Sequence, residues 1–203
     1  MIVMLLSVSV LSGLLAATVT AVGLLQEPPA KPMRDVGGMT PEEFKADIER
    51  RHPADYYRLA DMLFAKNSKN EATFYFYLGQ LRFRFHLAAN PNLRKGEDGA
   101  LFGSLSETLG SRINEWAFGD LRQLVITFDK VLDWDDFHEN GFTSKAEYEA
   151  RWNEIRQGLF ELCEHVRLNV DQIRAERTKN GLENRTDEPP ISRCRPPRAS
   201  ARR

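Results

Sequence analysis

The chain has 203 residues, with 28 basic and 29 acidic side chains and a formal charge of -1. Arg193, Arg195, Arg198, Arg202 and Arg203 follow Glu188 with no further acid, and setting those five aside leaves 23 bases against 29 acids. That balance of -6 for the body excludes a basic, nucleic-acid-binding core and makes the C-terminal stretch a separate, basic object.

The first 26 residues carry no charged side chain, and Ile2 to Leu25 is an unbroken run of Ile, Val, Leu, Met, Ala, Gly, Ser and Thr. Such a run is long enough to cross a bilayer as a helix. Residues 1–26 are therefore predicted to be a signal peptide or an N-terminal membrane anchor. Ala16 and Ala17, or Val19 to Ala21, supply small residues for cleavage, whereas the length of the run and the lack of a basic start favour retention. Either way the expected location is outside the cytoplasm, periplasmic or tethered to the membrane by residues 2–25. Cys163 and Cys194 would then meet an oxidising compartment, where a disulfide would tie the tail to the last helix. The alternative is a packed thiol at Cys163 and a free one at Cys194.

Residues 27–38 hold Pro28, Pro29, Pro32, Gly37 and Gly38 and read as an extended linker. A helical domain is predicted over 39–181. It opens on Thr40, Pro41, Glu42, Glu43, a capping box with proline at the first helical position, so a helix should run to about Arg51. Pro53 opens a second helix, with Tyr56, Leu59, Ala60, Leu63 and Phe64 on one face up to the turn at Asn67 to Asn70. From Glu71 to about Ala89 a third helix is apolar on several sides, through Phe74, Leu78, Leu81 and Phe85 on one stripe and Tyr75, Tyr77 and Phe83 elsewhere, which marks it as central.

Tyr56, Leu59, Ala60, Leu63, Ala72, Phe76 and Gly79 stand at the spacing of large and small positions in a tetratricopeptide repeat, and Lys69 to Ala72 with the aromatic run also resembles the Sel1-like repeat. The resemblance covers about residues 54–86, lacks the helix-ending proline near Arg84, and has no second copy. It implies one antiparallel helical hairpin, in which small residues let the helices approach, and peptide binding as the habit of such repeats.

Beyond the Asn90 to Gly99 loop, Leu101, Leu105 and Leu109 predict a short helix ended by Gly110, and Ile113, Trp116, Ala117 and Phe118 a second short piece. Asp120 should cap a helix carrying Leu121, Leu124, Val125, Phe128, Val131 and Leu132. After the Asn140–Gly141 turn, Tyr148, Trp152, Ile155, Leu159, Leu162, Val166, Val170 and Ile173 alternate at three and four, predicting one long helix from about Ser144 to Lys179 that Gly181 ends. No strand pattern survives. The fold class is all-α, a bundle of about six or seven helices with one TPR-like hairpin and a long C-terminal helix. Residues 182–203, rich in arginine and proline, are predicted to be disordered.

Sequence motifs for chemistry are sparse. No paired-histidine metal motif, close cysteine pair, glycine-flanked serine or phosphate loop is present, and His52, His86, His138 and His165 are scattered. Asp136, His138, Asn140, Gly141, Phe142, Ser144 and Glu147 fall in the register of a twelve-residue calcium loop, giving Asp136, Asn140 and Glu147 as candidate metal ligands and calcium as a candidate ion. The same letters equally describe an Asn–Gly turn followed by a Ser144 to Glu147 capping box. Arg82 and Arg84 among aromatics, and the acidic cluster Asp133, Asp135 and Asp136, are candidate partner-binding residues.

Three functions follow. The first is a non-catalytic protein-binding domain of the cell envelope, which in general character is similar to the small, exported, acidic immunity proteins that neutralise toxins. The second is a calcium- or ligand-sensing module using the 136–147 loop. The third is a hydrolytic enzyme whose acid and base groups, from residues such as Glu71, His86, Glu107 and Asp120, are assembled by the fold. Asn184, Arg185, Thr186 also has the form of a glycosylation acceptor.

Overall fold

The computed structural model describes residues 38–190 and 193–197, all within one compact unit, Asp35–Arg203, and excludes the Lys95 side chain. The leader at 1–26 and nearly all of the predicted linker lie outside the described residues. Among the described residues no helix is long and apolar enough to cross a membrane, and there is no strand.

The described residues form seven α-helices in order: α1 Pro41–Ala46, α2 Pro53–Ala65, α3 Lys69–Ala89, α4 Glu97–Ala117, α5 Leu121–Phe137, α6 Glu149–Leu168 and α7 Val170–Lys179. The all-α bundle read from periodicity is therefore present. The Thr40 hydroxyl accepts from the Glu43 amide while the Glu43 carboxylate accepts from the Thr40 amide at 2.7 Å, completing the capping box. Helix α1 is shorter than its pattern predicts, giving way to a 3-10 turn at Ile48–Arg50. Asp120 caps α5 through the Gln123 amide at 2.9 Å.

Helix α3 is the hub, packed by α2, α4, α5 and α6. Its Phe76, Leu78 and Phe83 are wholly buried, and each such side chain contributes about 1.5–3 kcal/mol relative to exposure. The α2–α3 hairpin is the tightest pairing, and the residues that carry the repeat resemblance, Tyr56 to Phe76, are all in the core. Gly79 is the point of closest approach: a Cβ there would sit 2.9 Å from the Cβ of Tyr56. The turn between the helices is a left-handed cap, with Asn67 at φ 63° and the Ser68 amide bonded to the Leu63 carbonyl at 2.9 Å.

Three local expectations are corrected. Gly110 does not divide α4, because it sits against the Phe76 ring, 3.1 Å from where its Cβ would stand, and serves helix packing rather than a turn. The long C-terminal helix is broken at Asn169, whose side-chain amide donates to the His165 carbonyl at 2.7 Å and competes with the helical ladder. The described parts of the tail, 182–190 and 193–197, form no helix but run along the bundle as a strap. Arg185 donates to the Trp116 carbonyl at 2.7 Å and stacks over the Trp116 ring, and the Cys194 and Arg195 amides bond to Glu164 and Asp129. Cys163 and Cys194 are joined in a buried disulfide across 31 residues, which by loop entropy is worth about 3–4 kcal/mol.

Candidate functional site

One turn apart on the same side of α3, Arg82 and His86 face the loop that links α5 to α6, and two polar clusters form around them. The loop is pinned from several directions: the Gly141 amide bonds to the Glu49 carbonyl at 2.9 Å, and Arg82 donates to the carbonyls of His138 and Glu139. Asn140 turns its Oδ1 onto the amides of Phe142 and Thr143.

The first cluster centres on Asp135, which is 1% exposed. Arg82 pairs with it at 2.8 Å, the Trp152 indole donates to it at 2.6 Å, and Arg156 and Lys145 stand at 3.7 Å. Arg156 also grips Asp136 and lies over the Trp152 ring. Lys145 donates to the carbonyls of Asp135 and His138, the latter at 2.7 Å. Burial pushes its ammonium down to about 8; Asp135 opposes that shift and Arg82 and Arg156 add to it.

The second cluster joins three elements. His52 is the N-cap of α2, His86 lies in the last turn of α3 and Asp98 in the first turn of α4. The Ala54 amide donates to His52 Nδ1 at 3.1 Å, which leaves the ring proton on Nε2, 3.5 Å from Asp98 Oδ1. His86 Nε2 bonds to Asp98 Oδ2 at 3.1 Å and its Nδ1 to the Thr143 hydroxyl at 3.0 Å. Phe83 and Phe142 close over His52 edge to face, and Phe142 also covers His86. Desolvation lowers both imidazoles below the ordinary histidine range, against the opposing pull of Asp98. The cluster is then two neutral rings directed at one carboxylate. The chain closes tightly next to Asp98, where a Cβ on Gly99 would collide with the Arg94 carbonyl.

These placements recast the residues singled out in the sequence. Of the candidate calcium ligands, Asp136 is turned to Arg156, Asn140 to backbone amides, and Glu147 is exposed with its amide on the Ser144 hydroxyl. Loop carbonyls that an ion would use are taken by the Lys145 ammonium and by Arg82. Of the candidate partner contacts, Arg82 and Asp135 pair with one another and are each 1% exposed, because the acidic helix end folds inward onto Arg82 and Arg156. Asp133 is half-exposed and paired with Arg195, and Arg84 is exposed beside Phe102. The free face of the hairpin is likewise occupied, by α4, α5 and α6.

Among the acid–base candidates, Glu71 pairs with Lys45, Asp120 caps α5 and Glu107 is exposed, so only His86 belongs to a constellation. Its partners His52 and Asp98 carry no spacing signal in the sequence; His52 before Pro53 reads as a helix start and Asp98 as a loop acid. The Asn184 amide nitrogen is bonded to the Arg174 carbonyl and the Thr178 hydroxyl, so glycosylation there requires both bonds to break. A separate surface cleft of about 460 Å³ lies at the α6–α7 break, lined by Leu168, Val170, Arg167, Arg174, Pro189 and Pro190. No known protein family, curated protein or solved structure matches the chain.

Proposed function

We propose that this chain is a non-catalytic protein-binding domain that works outside the cytoplasm. The observation that carries this reading is the buried Cys163–Cys194 disulfide, which fastens the strap to α6 and is the kind of bond that persists in an oxidising compartment. The charge-free leader supports the same location. The inward-turned Asp135 cluster supports a non-catalytic role: Arg82 and Asp135, each 1% exposed, are spent on one another and closed off from a substrate.

The surface best suited to a partner is the cleft at the α6–α7 break. Leu168 is 67% exposed there beside Pro189 and Pro190, an apolar anchor point with Arg167 and Arg174 at its rim. A partner segment with an apolar side chain and acidic flanks fits that chemistry. The test is affinity capture of the oxidised full chain from its own cell envelope, with Leu168→Asp as the comparison. A stoichiometric protein lost on the Leu168→Asp bait supports the reading. Two free thiols in exported material, or no stoichiometric protein on the wild-type bait, defeats it.

A further inference from the structure

We infer that His52, His86 and Asp98 form a site for a divalent first-row metal ion, zinc foremost, that ties together the starts of α2 and α4 and the end of α3. One ligand atom from each of the three residues lies within 4.8 Å of the others. A tetrahedral zinc with bonds of 2.0–2.1 Å places its ligand atoms about 3.4 Å apart. His86 Nε2 stands 3.1 Å from Asp98 Oδ2 and His52 Nε2 3.5 Å from Asp98 Oδ1, so each ring is already near that spacing from one of the two carboxylate oxygens. The rings and the carboxylate must close on the ion together, from ligand atoms that already lie within 4.8 Å of one another.

Two nitrogens and one carboxylate oxygen are donors that suit zinc. His86 also has the outer partner that zinc-binding histidines use, because the Thr143 hydroxyl at 3.0 Å can accept a proton held on Nδ1. Phe83 and Phe142 shield the rings, while Asp98, 22% exposed, gives the ion its route from solvent and leaves the fourth position to water. The Asp129, Cys163 and Cys194 group is a weaker candidate, since both sulfurs are spent in the disulfide.

Binding moves protons in a defined way. Each imidazole gives its Nε2 lone pair to the ion, so the ring proton shifts from Nε2 to Nδ1 and no net proton is released. At His86 the 3.4 Å contact of the Asn90 amide nitrogen with Nδ1 is given up, and the new Nδ1–H meets the Thr143 oxygen. At His52 it meets the Ala54 amide, and the cap bond at the start of α2 is given up. That lost bond is small beside the free energy of binding a zinc ion, and it provides a local signature.

The experiment uses the oxidised full chain, stripped with chelator and titrated with zinc chloride by calorimetry, with the Ala54 amide followed by NMR. One zinc per chain is expected, with a shift of the Ala54 resonance. His52→Asn keeps a good helix cap and Asp98→Asn keeps the side-chain shape, so both should fold as judged by circular dichroism. Each should weaken zinc binding by at least about 100-fold, since each alters a ligand and the upper end of the loss for an outer partner is about that size. His138→Gln, outside the cluster, should bind as the wild type does. No heat at about millimolar zinc, weaker than any folded zinc site, overturns the proposal, as does unchanged affinity in both cluster variants. Neither result bears on the partner reading, which is tested through Leu168.

Discussion

Along α3, Ala72, Phe76 and Gly79 meet their neighbours through aromatic and aliphatic area, whereas Arg82 and His86, on the side that faces the α5–α6 loop, meet them through ion pairs and hydrogen bonds. The same helix, equally buried at both ends, thus holds the bundle by two kinds of force. Area is forgiving, since a lost methylene costs in proportion to what is removed. A buried charge is unforgiving, because its partner stays behind in a medium that cannot solvate it.

The sharpest way to break the comparison is at Asp135. Asp135→Ala leaves Arg82, Arg156 and Lys145 facing one another around an empty centre, and is expected to cost about 3–5 kcal/mol in urea unfolding. Replacing Arg82 as well, by Met, should restore part of that loss. If the double variant is less stable than Asp135→Ala alone, the account of unbalanced cations fails. In the apolar stretch Gly79→Ala should cost about 1–3 kcal/mol, despite alanine's better helix propensity, because the Tyr56 Cβ has nowhere to go.

The two ends should respond to alkaline pH in opposite senses. Lys145 has a folded value near 8 against an ordinary 10.5, so between those limits the unfolded chain holds more protons and stability rises with pH. Above about pH 10 the trend reverses, because burial raises Tyr56, Tyr57 and Tyr77, and unfolded tyrosines ionise first. Thermal unfolding of Lys145→Met should lose the rise from pH 8 to 10 and keep the later fall. The smallest effect tests the turn that precedes α3: Asn67→Gly should stabilise by about 0.5 kcal/mol or less, since glycine adopts φ 63° without strain.

The difference between the two stretches also governs what could be read from the amino acids. Local rules gave the caps at Thr40 and Asp120 and the stop at Gly181, because each depends on residues within one turn. Periodicity gave the apolar faces of α2, α3 and α5. It misled where a side chain overrode it, as Asn169 does by taking the His165 carbonyl, and where glycine marks a close approach instead of a turn, as at Gly110. The polar clusters were hidden for a different reason. Arg82 and the aspartates were visible as charges, but whether they faced solvent or one another depends on how the α5–α6 loop folds back on α3. His52, His86 and Asp98 come from three separate elements, and no spacing rule links them.

The strap has a mechanical consequence. Tension applied to the chain beyond Cys194 would peel no further than that residue, since the bridge passes the pull directly to Cys163 in the middle of α6. The 31-residue interval between the two cysteines, a reserve of roughly 100 Å of extended chain, is withheld from stretching as long as the sulfurs stay joined. Reduction would turn a short tether into a long one, drawn from α7 and the last turn of α6.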